Sequence, residues 1–269
     1  MHYTLNCNGQ LLSLETPRVM AILNVTPDSF YSASRRQSEG DVRKRVSQML
    51  AEGADIIDVG ACSTRPGATM ATQQEETERL RWALAAVRSE APDATVSIDT
   101  FRADVARMAV EEYGANIIND AGSPTDTDLC FSAMARMVAR LRVPYIYTSH
   151  KSNVSDILTD CARAVEELRS LGQHDIIVDP GFGFGKTLDE NHVLMDNLDR
   201  MRVLQLPVLV GISRKSMITK LLGITTEQAL NATTCLNTVA LLKGADILRV
   251  HDVPEAVQCI RLVNHCKNT

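Results

Sequence analysis

No two of the seven cysteines (Cys7, Cys62, Cys130, Cys161, Cys235, Cys259 and Cys266) stand in a Cys-x-x-Cys spacing, and their number is odd. A disulfide framework or a cysteine-ligated zinc site is therefore not expected, and scattered thiols of this kind suit a reducing compartment. An excess of positive charge is also missing. The 28 lysines and arginines against 33 aspartates and glutamates leave a net charge of −5, which argues against nucleic acid as a partner. No apolar run approaches the roughly 20 residues of a membrane-spanning helix. The opening MHYTLNCNGQ lacks the charged-then-apolar order of a secretory leader. These absences lead us to expect a cytoplasmic protein without membrane or nucleic-acid partners. No linker or low-complexity stretch interrupts the chain, so one domain over residues 1–269 is expected.

What is present is an alternation. Short β-branched apolar runs recur at residues 18–24, 54–60, 95–100, 115–120, 143–149, 175–179, 207–213 and 245–251. Each is almost continuously apolar in its middle, as parallel strands covered by helices are. Between them, stretches such as DVRKRVSQMLAEG and ADVARMAVEEYG carry apolar residues at helical spacing. Gly53, Gly114, Gly172 and Gly244 stand where such helices would end in left-handed caps. Eight strand-then-helix units without a linker predict an α/β protein of the (β/α)₈ TIM-barrel class. Asn8-Gly9, between alternating apolar positions, predicts a β-hairpin that closes the bottom of the barrel.

Polar residues gather at one end of these runs: Asn24, Asp58, Asp99, Asn119, Ser149, Asp179, Ser213, and Arg249 with His251. In a barrel of this class the C-terminal ends of the strands carry the active site. Arg65, Lys186, Arg214, Lys215, Arg249 and His251 also follow strand ends, in a protein that is acidic overall. Arg214 and Lys215 fall at the start of a helical stretch, where the dipole disfavours cations and an anion would reverse the penalty. A phosphate- or diphosphate-bearing substrate is expected.

The stretch DPGFGFGKT resembles a phosphate loop, but a Walker motif needs glycine five positions before Gly185, and Pro180 stands there. We expect its glycines to let backbone pass close to a flat ring, and Thr187 with Glu190 to form a capping box. Two long strand-end stretches, from Asn24 to Gly40 and from Ala61 to Glu76, have the length and composition of lid or binding loops.

Taken together, ILNVTPDSF, GADIIDVGACSTRPGA, VSIDT, IIND, DPGFGFGKT, SRKS and ADILRVHD resemble, in order and spacing, the dihydropteroate synthase family over about residues 18–260. The resemblance implies condensation of 6-hydroxymethyl-7,8-dihydropterin diphosphate with p-aminobenzoate, releasing pyrophosphate, in folate synthesis. It implies Asp99, Asn119, Asp179 and Lys215 for the pterin, and Thr64, Arg65, Pro66, Phe184 and Ser213 around p-aminobenzoate. Asn24, Arg65, Arg249 and His251 fall to the diphosphate, with Asn24 as the protein's ligand to Mg²⁺. Asp99, Lys215, Arg249 and His251 are the implied catalytic set. The family also implies a sulfonamide target and a homodimer, for which residues 229–244 offer an apolar helix.

The chain departs from the family in two places. Ala61 and Cys62 replace a glycine and a glutamate, and IYTSHKSN replaces a Met-His pair, bringing Ser149 or His150 to that neighbourhood. Cys62 is expected to be a small buried residue rather than a reactive thiol. A pterin-dependent methyltransferase and a catalytically impaired homologue are the alternatives.

Overall fold

The structure, a computed structural model, describes residues 3–26, 35–62, 70–122 and 127–268. It opens on a hairpin of β1 (Thr4–Cys7) and β2 (Gln10–Ser13), paired antiparallel from Thr4↔Ser13 to Cys7↔Gln10. Asn8 and Gly9 both have positive φ, 54° and 89°, as a two-residue turn that follows the twist of the strands requires.

The barrel follows. Its strands are β3 (Arg18–Asn24), β4 (Ile56–Gly60), β5 (Thr95–Asp99), β6 (Ile117–Asp120), β7 (Tyr145–Thr148), β8 (Ile176–Asp179), β9 (Leu209–Val210) and β10 (Ile247–Val250). They pair in parallel in the order β8-β7-β6-β5-β4-β3-β10-β9. A single bridge, Val178↔Val208, joins β8 to the run leading into β9, and Val178 N donates to Pro207 O at 2.9 Å. That contact brings the two ends of the sheet together. Helices α1 (Arg35–Ala51), α2 (Gln73–Glu90), α3 (Ala103–Tyr113), α4 (Thr127–Leu141), α5 (Val154–Ser170), α6 (Leu188–Asp196), α7 (Ser216–Leu222), α8 (Leu230–Leu242) and α9 (Val253–Asn268) follow the strands, α7 and α8 both lying between β9 and β10. No helix among the described residues is long and apolar enough to cross a membrane.

Period-two alternation divides the strands into two cores. Val19, Ala21, Leu23, Ile57, Val59, Ile98, Ile118 and Val178 join the helices in the outer core. Met20, Ile56, Ile117, Ile146, Ile177, Leu209 and Ile247 pack inside the barrel, where Leu5, Cys7 and Leu14 of the hairpin segment close its bottom. The hairpin therefore seals the lower half with apolar contact, and everything polar inside the barrel must sit above it.

Several strands begin later than the apolar runs suggest, for a common reason. The polar residue just before a strand turns sideways and accepts an N–H from the neighbouring strand. Asp55 accepts from Val19 at 2.8 Å, Asn116 from Val96 at 2.9 Å and Asp246 from Val208 at 2.8 Å. Arg18 also pairs with Asp55 at 2.9 Å. Helix α1 starts at Arg35, earlier than the periodicity from Asp41 indicates. Gly114 caps α3 in the left-handed region, as expected. Helix α8, expected over 229–244, buries Thr233, Asn237, Ala240 and Leu241 and leaves Leu242 exposed.

Candidate active site

Because inward-facing residues repeat every two positions, the apolar plug is followed two residues later by Asp58, Asn119, Thr148, Asp179 and Arg249, and one step higher by Gly60 and Asp99. Sheet register aligns part of this level into a row, with Asn24 beside Gly60, Gly60 beside Asp99 and Asp99 beside Asn119. Gly60 separates two functional side chains. A Cβ there would lie 3.4 Å from the Asn24 amide oxygen and 3.4 Å from Asp99 Cβ.

Charge in the row is arranged around Arg249. Its Nε donates to Asp58 Oδ2 at 2.7 Å and its Nη2 to Asp99 Oδ2 at 2.6 Å. Asn119 Nδ2 donates to the same Asp58 oxygen at 3.0 Å. Burial pushes the guanidinium pKa down, but Asp58 and Asp99 outweigh it and hold the group above its ordinary value. Asp99, with its side chain 23% exposed at the mouth, is pushed by burial up to about 7, against the lowering effect of Arg249. Burial also raises Asp179, which accepts Gly181 N at 2.8 Å and lies in the field of Lys215. Asp58 is fully buried, and its Oδ1, like Thr148 Oγ1, has no hydrogen-bond partner among the described residues. A carboxylate oxygen and a hydroxyl are thus left inside the barrel beside Asn119 and Asp179.

The cations divide in a way their positions in the chain do not reveal. Lys215, at the N-cap of α7, donates to Phe182 O at 2.6 Å, and burial pushes its ammonium down to about 8. Lys186 and Arg214, expected to face an anion, are committed elsewhere. Lys186 Nζ donates to Gly181 O at 2.8 Å and to Ser149 O and Phe184 O at 3.3 Å, clamping its own loop. Arg214 forks onto Asp252 at 2.9 and 2.8 Å and donates to Thr226 O and Glu227 O. His251 and Ser213 meet across β10 and the end of β9. The Ser213 hydroxyl oxygen accepts His251 N at 3.2 Å and lies 3.0 Å from Nδ1. The Ser213 hydroxyl thus touches both the backbone and the ring of His251 and fixes the orientation of the imidazole.

The glycines of the loop after Asp179 make room for neighbouring parts of the protein. Gly181, Gly183 and Gly185 have φ of 76°, 82° and 61°. A Cβ at Gly181 would lie 1.9 Å from Ser149 O, one at Gly183 3.3 Å from Lys215 Cδ, and one at Gly185 3.4 Å from His150 O. The loop is folded tightly against the end of β7 and against Lys215. Gly181→Ala is accordingly expected to destabilise the protein by at least about 2 kcal/mol, through left-handed strain and overpacking, read as a lower urea midpoint with unchanged slope. An unaltered midpoint would mean the loop yields freely. The capping box forms as expected, with Thr187 N donating to Glu190 Oε2 at 2.7 Å and Glu190 N to Thr187 Oγ1 at 3.3 Å.

Ser149 is also displaced from its expected role. Its hydroxyl turns toward α5 and donates to Asp160 Oδ2 at 2.7 Å, away from the barrel interior. The half-buried Cys62 thiol is held above its ordinary pKa by burial and by Glu76, which disfavours the reactive thiolate. Thr64, Arg65 and Pro66 lie outside the described residues, as do residues 27–34 of the first strand-end stretch.

With the geometry in place, comparison with known proteins is decisive. The sequence model of the family described as "Pterin binding enzyme" matches residues 20–251. The chain belongs to the pterin-binding enzyme family. Within that family, dihydropteroate synthase of Clostridium beijerinckii is 38% identical over 260 residues, 93% of this chain and 94% of the relative. Dihydropteroate synthase of Escherichia coli is 35% identical over 266 residues, 95% of this chain and 93% of the relative. The solved structure of Xanthomonas albilineans dihydropteroate synthase with 4-aminobenzoic acid superposes with a TM-score of 0.89 at 32% identity, covering 100% of both chains. The pterin-binding family thus accounts for the barrel and for the span from β3 to His251. Asp58 was noted in the sequence as a polar strand-end residue without a role. Its inward phase, two residues after Ile56 and two before Gly60, was the available signal.

Proposed function

We propose that this chain condenses 6-hydroxymethyl-7,8-dihydropterin diphosphate with p-aminobenzoate to give 7,8-dihydropteroate and pyrophosphate. One observation carries the reading: buried acceptors at Asp58, Asn119 and Asp179 stand beside Asp99 at the mouth, with Lys215, Arg249 and His251 along the same rim. A flat heterocycle with several N–H donors needs carboxylate and amide oxygens in fixed directions. The unpartnered Asp58 Oδ1 supplies one more acceptor, and the Thr148 hydroxyl a group that can donate or accept.

The chemistry is displacement at the exocyclic methylene carbon of the pterin. The bond from that carbon to the diphosphate oxygen breaks early, its electron pair leaving with pyrophosphate. The positive charge left on the carbon spreads into the pterin ring. Asp99 and Asp179 face that charge from fixed positions, the preorganised electrostatics that usually dominates catalysis. The amine nitrogen of p-aminobenzoate then forms the new C–N bond and gives up a proton. Lys215 and Phe184 border the amine, with Ser213 beyond them. His251, oriented by Ser213, and Arg249 meet the leaving group.

Asn24, half-buried at the end of β3, would supply one amide oxygen to Mg²⁺. Among the described residues no group of three or more histidine, cysteine, aspartate or glutamate side chains could hold a metal. That donor set fits a magnesium ion that keeps its waters and rides on substrate phosphate oxygens, not one held in a protein cage. When bound, the ion would neutralise charge on the departing diphosphate.

A pyrophosphate-release assay tests the reading. Release is expected only with the pterin diphosphate, p-aminobenzoate and Mg²⁺ together. Pterin binding without amine-dependent release would overturn it in favour of an impaired homologue. A methyltransferase has no use for a diphosphate clamp at Lys215, Arg249 and His251.

A further inference from the structure

One rim residue, His150, has no part in the chemistry above. The His150 imidazole, just past β7, stacks on the Phe184 ring with centroids 5.1 Å apart and planes 29° apart. Lys215 Nζ lies 4.9 Å from the centroid of the same ring. His150 is itself held in place. Its Nε2 is 2.6 Å from Ala121 O, and because a carbonyl only accepts, Nε2 carries the ring proton. A Cβ on Gly122, which has φ 79°, would lie 2.7 Å from that nitrogen, so the glycine is what admits the imidazole. Burial holds the ring below its ordinary pKa, which favours the neutral form at pH 7.

Phe184 needs this support because its own backbone supplies little. It is flanked by Gly183 and Gly185, both exposed, neither offering a side chain to pack against the ring. Lateral contact must come from another strand end. His150 provides it from β7, and Lys215 does so from the end of β9.

We propose that His150 is a specificity-determining residue of the p-aminobenzoate subsite, where its imidazole sets the orientation of the Phe184 ring against which the benzene ring of the amine packs. The inference rests on the dihydropteroate synthase reading. His150 acts through Phe184, so it is a positioning residue. An aromatic pair of this kind shifts an equilibrium by about 2- to 13-fold, and that range sets the expected effect.

Steady-state kinetics of the full-length chain test it, with p-aminobenzoate and a sulfonamide as competing probes. His150→Ala is expected to raise the KM for p-aminobenzoate by about 3- to 10-fold, to change the ratio of that KM to the sulfonamide Ki, and to leave the KM for the pterin diphosphate within about 2-fold. His150→Phe keeps the stack but loses the bond to Ala121 O, and should recover most of the amine KM. His150→Gln keeps a donor for Ala121 O but loses the stack, and should behave like alanine. Rescue by glutamine and not by phenylalanine would overturn the proposal, since the bond to Ala121 O would then be what matters. Equal effects on both substrates, or an unchanged amine KM in His150→Ala, would also overturn it. The unsubstituted protein reports separately on the underlying reading. If it shows neither turnover nor p-aminobenzoate binding by calorimetry, that reading fails and the inference falls with it. Turnover by the unsubstituted protein with an unchanged amine KM in His150→Ala overturns the inference alone.

Discussion

Arg249→Ala is expected to cost the folded state about 3–5 kcal/mol as well as most of the activity. The reason is the company Arg249 keeps. Asp58 is fully buried, and one of its oxygens already lacks a partner. Removing the guanidinium from the other oxygen, where it donates at 2.7 Å, leaves a buried carboxylate with only the Asn119 amide. Asp99 also loses its bond from the guanidinium and then sits at the mouth with its main counter-charge gone. Urea unfolding should show a much lower midpoint for Arg249→Ala, with Arg249→Lys intermediate because an ammonium lacks the planar fork that spans two carboxylates. Pairing Arg249→Met with Asp58→Asn should recover most of the stability, since replacing both members of a buried pair is often close to neutral. It should not recover turnover. A melting curve of Arg249→Ala that overlays the unsubstituted protein would place Arg249 on the substrate side alone.

Lys215→Ala should have the opposite signature: kcat/KM for the pterin diphosphate at least about 100-fold lower, with the melting temperature within about 3 °C. The Nζ bond to Phe182 O is one hydrogen bond of about 1 kcal/mol, and losing it is offset by no longer burying an ammonium. His251→Ala should follow the same pattern.

Titration of Lys215 also shapes the pH profile. Asp99 must ionise near 7 and Lys215 stay charged up to about 8, so kcat/KM should form a bell whose top lies between those values. Stability runs differently. Asp99 keeps its proton to about 7 in the folded protein against 3.8 as its ordinary value. The unfolded chain therefore binds fewer protons between those values, and this group's contribution falls as pH rises through them. Lys215 loses its proton at about 8 when folded and at 10.5 ordinarily, so its contribution rises with pH across that window. Activity lost above pH 8 without loss of stability would identify the ammonium as the cause. Lys215→Arg, which stays charged, should remove the alkaline limb from the activity it retains. If the limb survives in Lys215→Arg, another group is titrating.

Much of this was legible in the chain itself. Continuous apolar runs, polar residues at their ends, the Asn8-Gly9 turn and the Thr187–Glu190 box all arise from neighbours a few residues apart, and local periodicity encodes such relations directly. The inward phase of Asn24, Asp99, Asn119 and Asp179 follows from counting by two along each strand. Motif order was enough to suggest the family.

Tertiary structure decided which charges are available. Lys186, Arg214, Lys215 and Arg249 look alike in the sequence, each a cation just past or within a strand end. One clamps its own loop, one grips Asp252, one reaches the Phe182 carbonyl, and one bridges two carboxylates. Arg249 meets Asp58 across 191 residues and Asp99 across 150, a meeting set by register around the barrel and by nothing local. The glycines after Asp179 likewise answer to the Ser149 carbonyl and the Lys215 side chain, which come from other strand ends. Spacing along the chain settles which way a side chain points. What it meets there depends on which strands the barrel brings side by side.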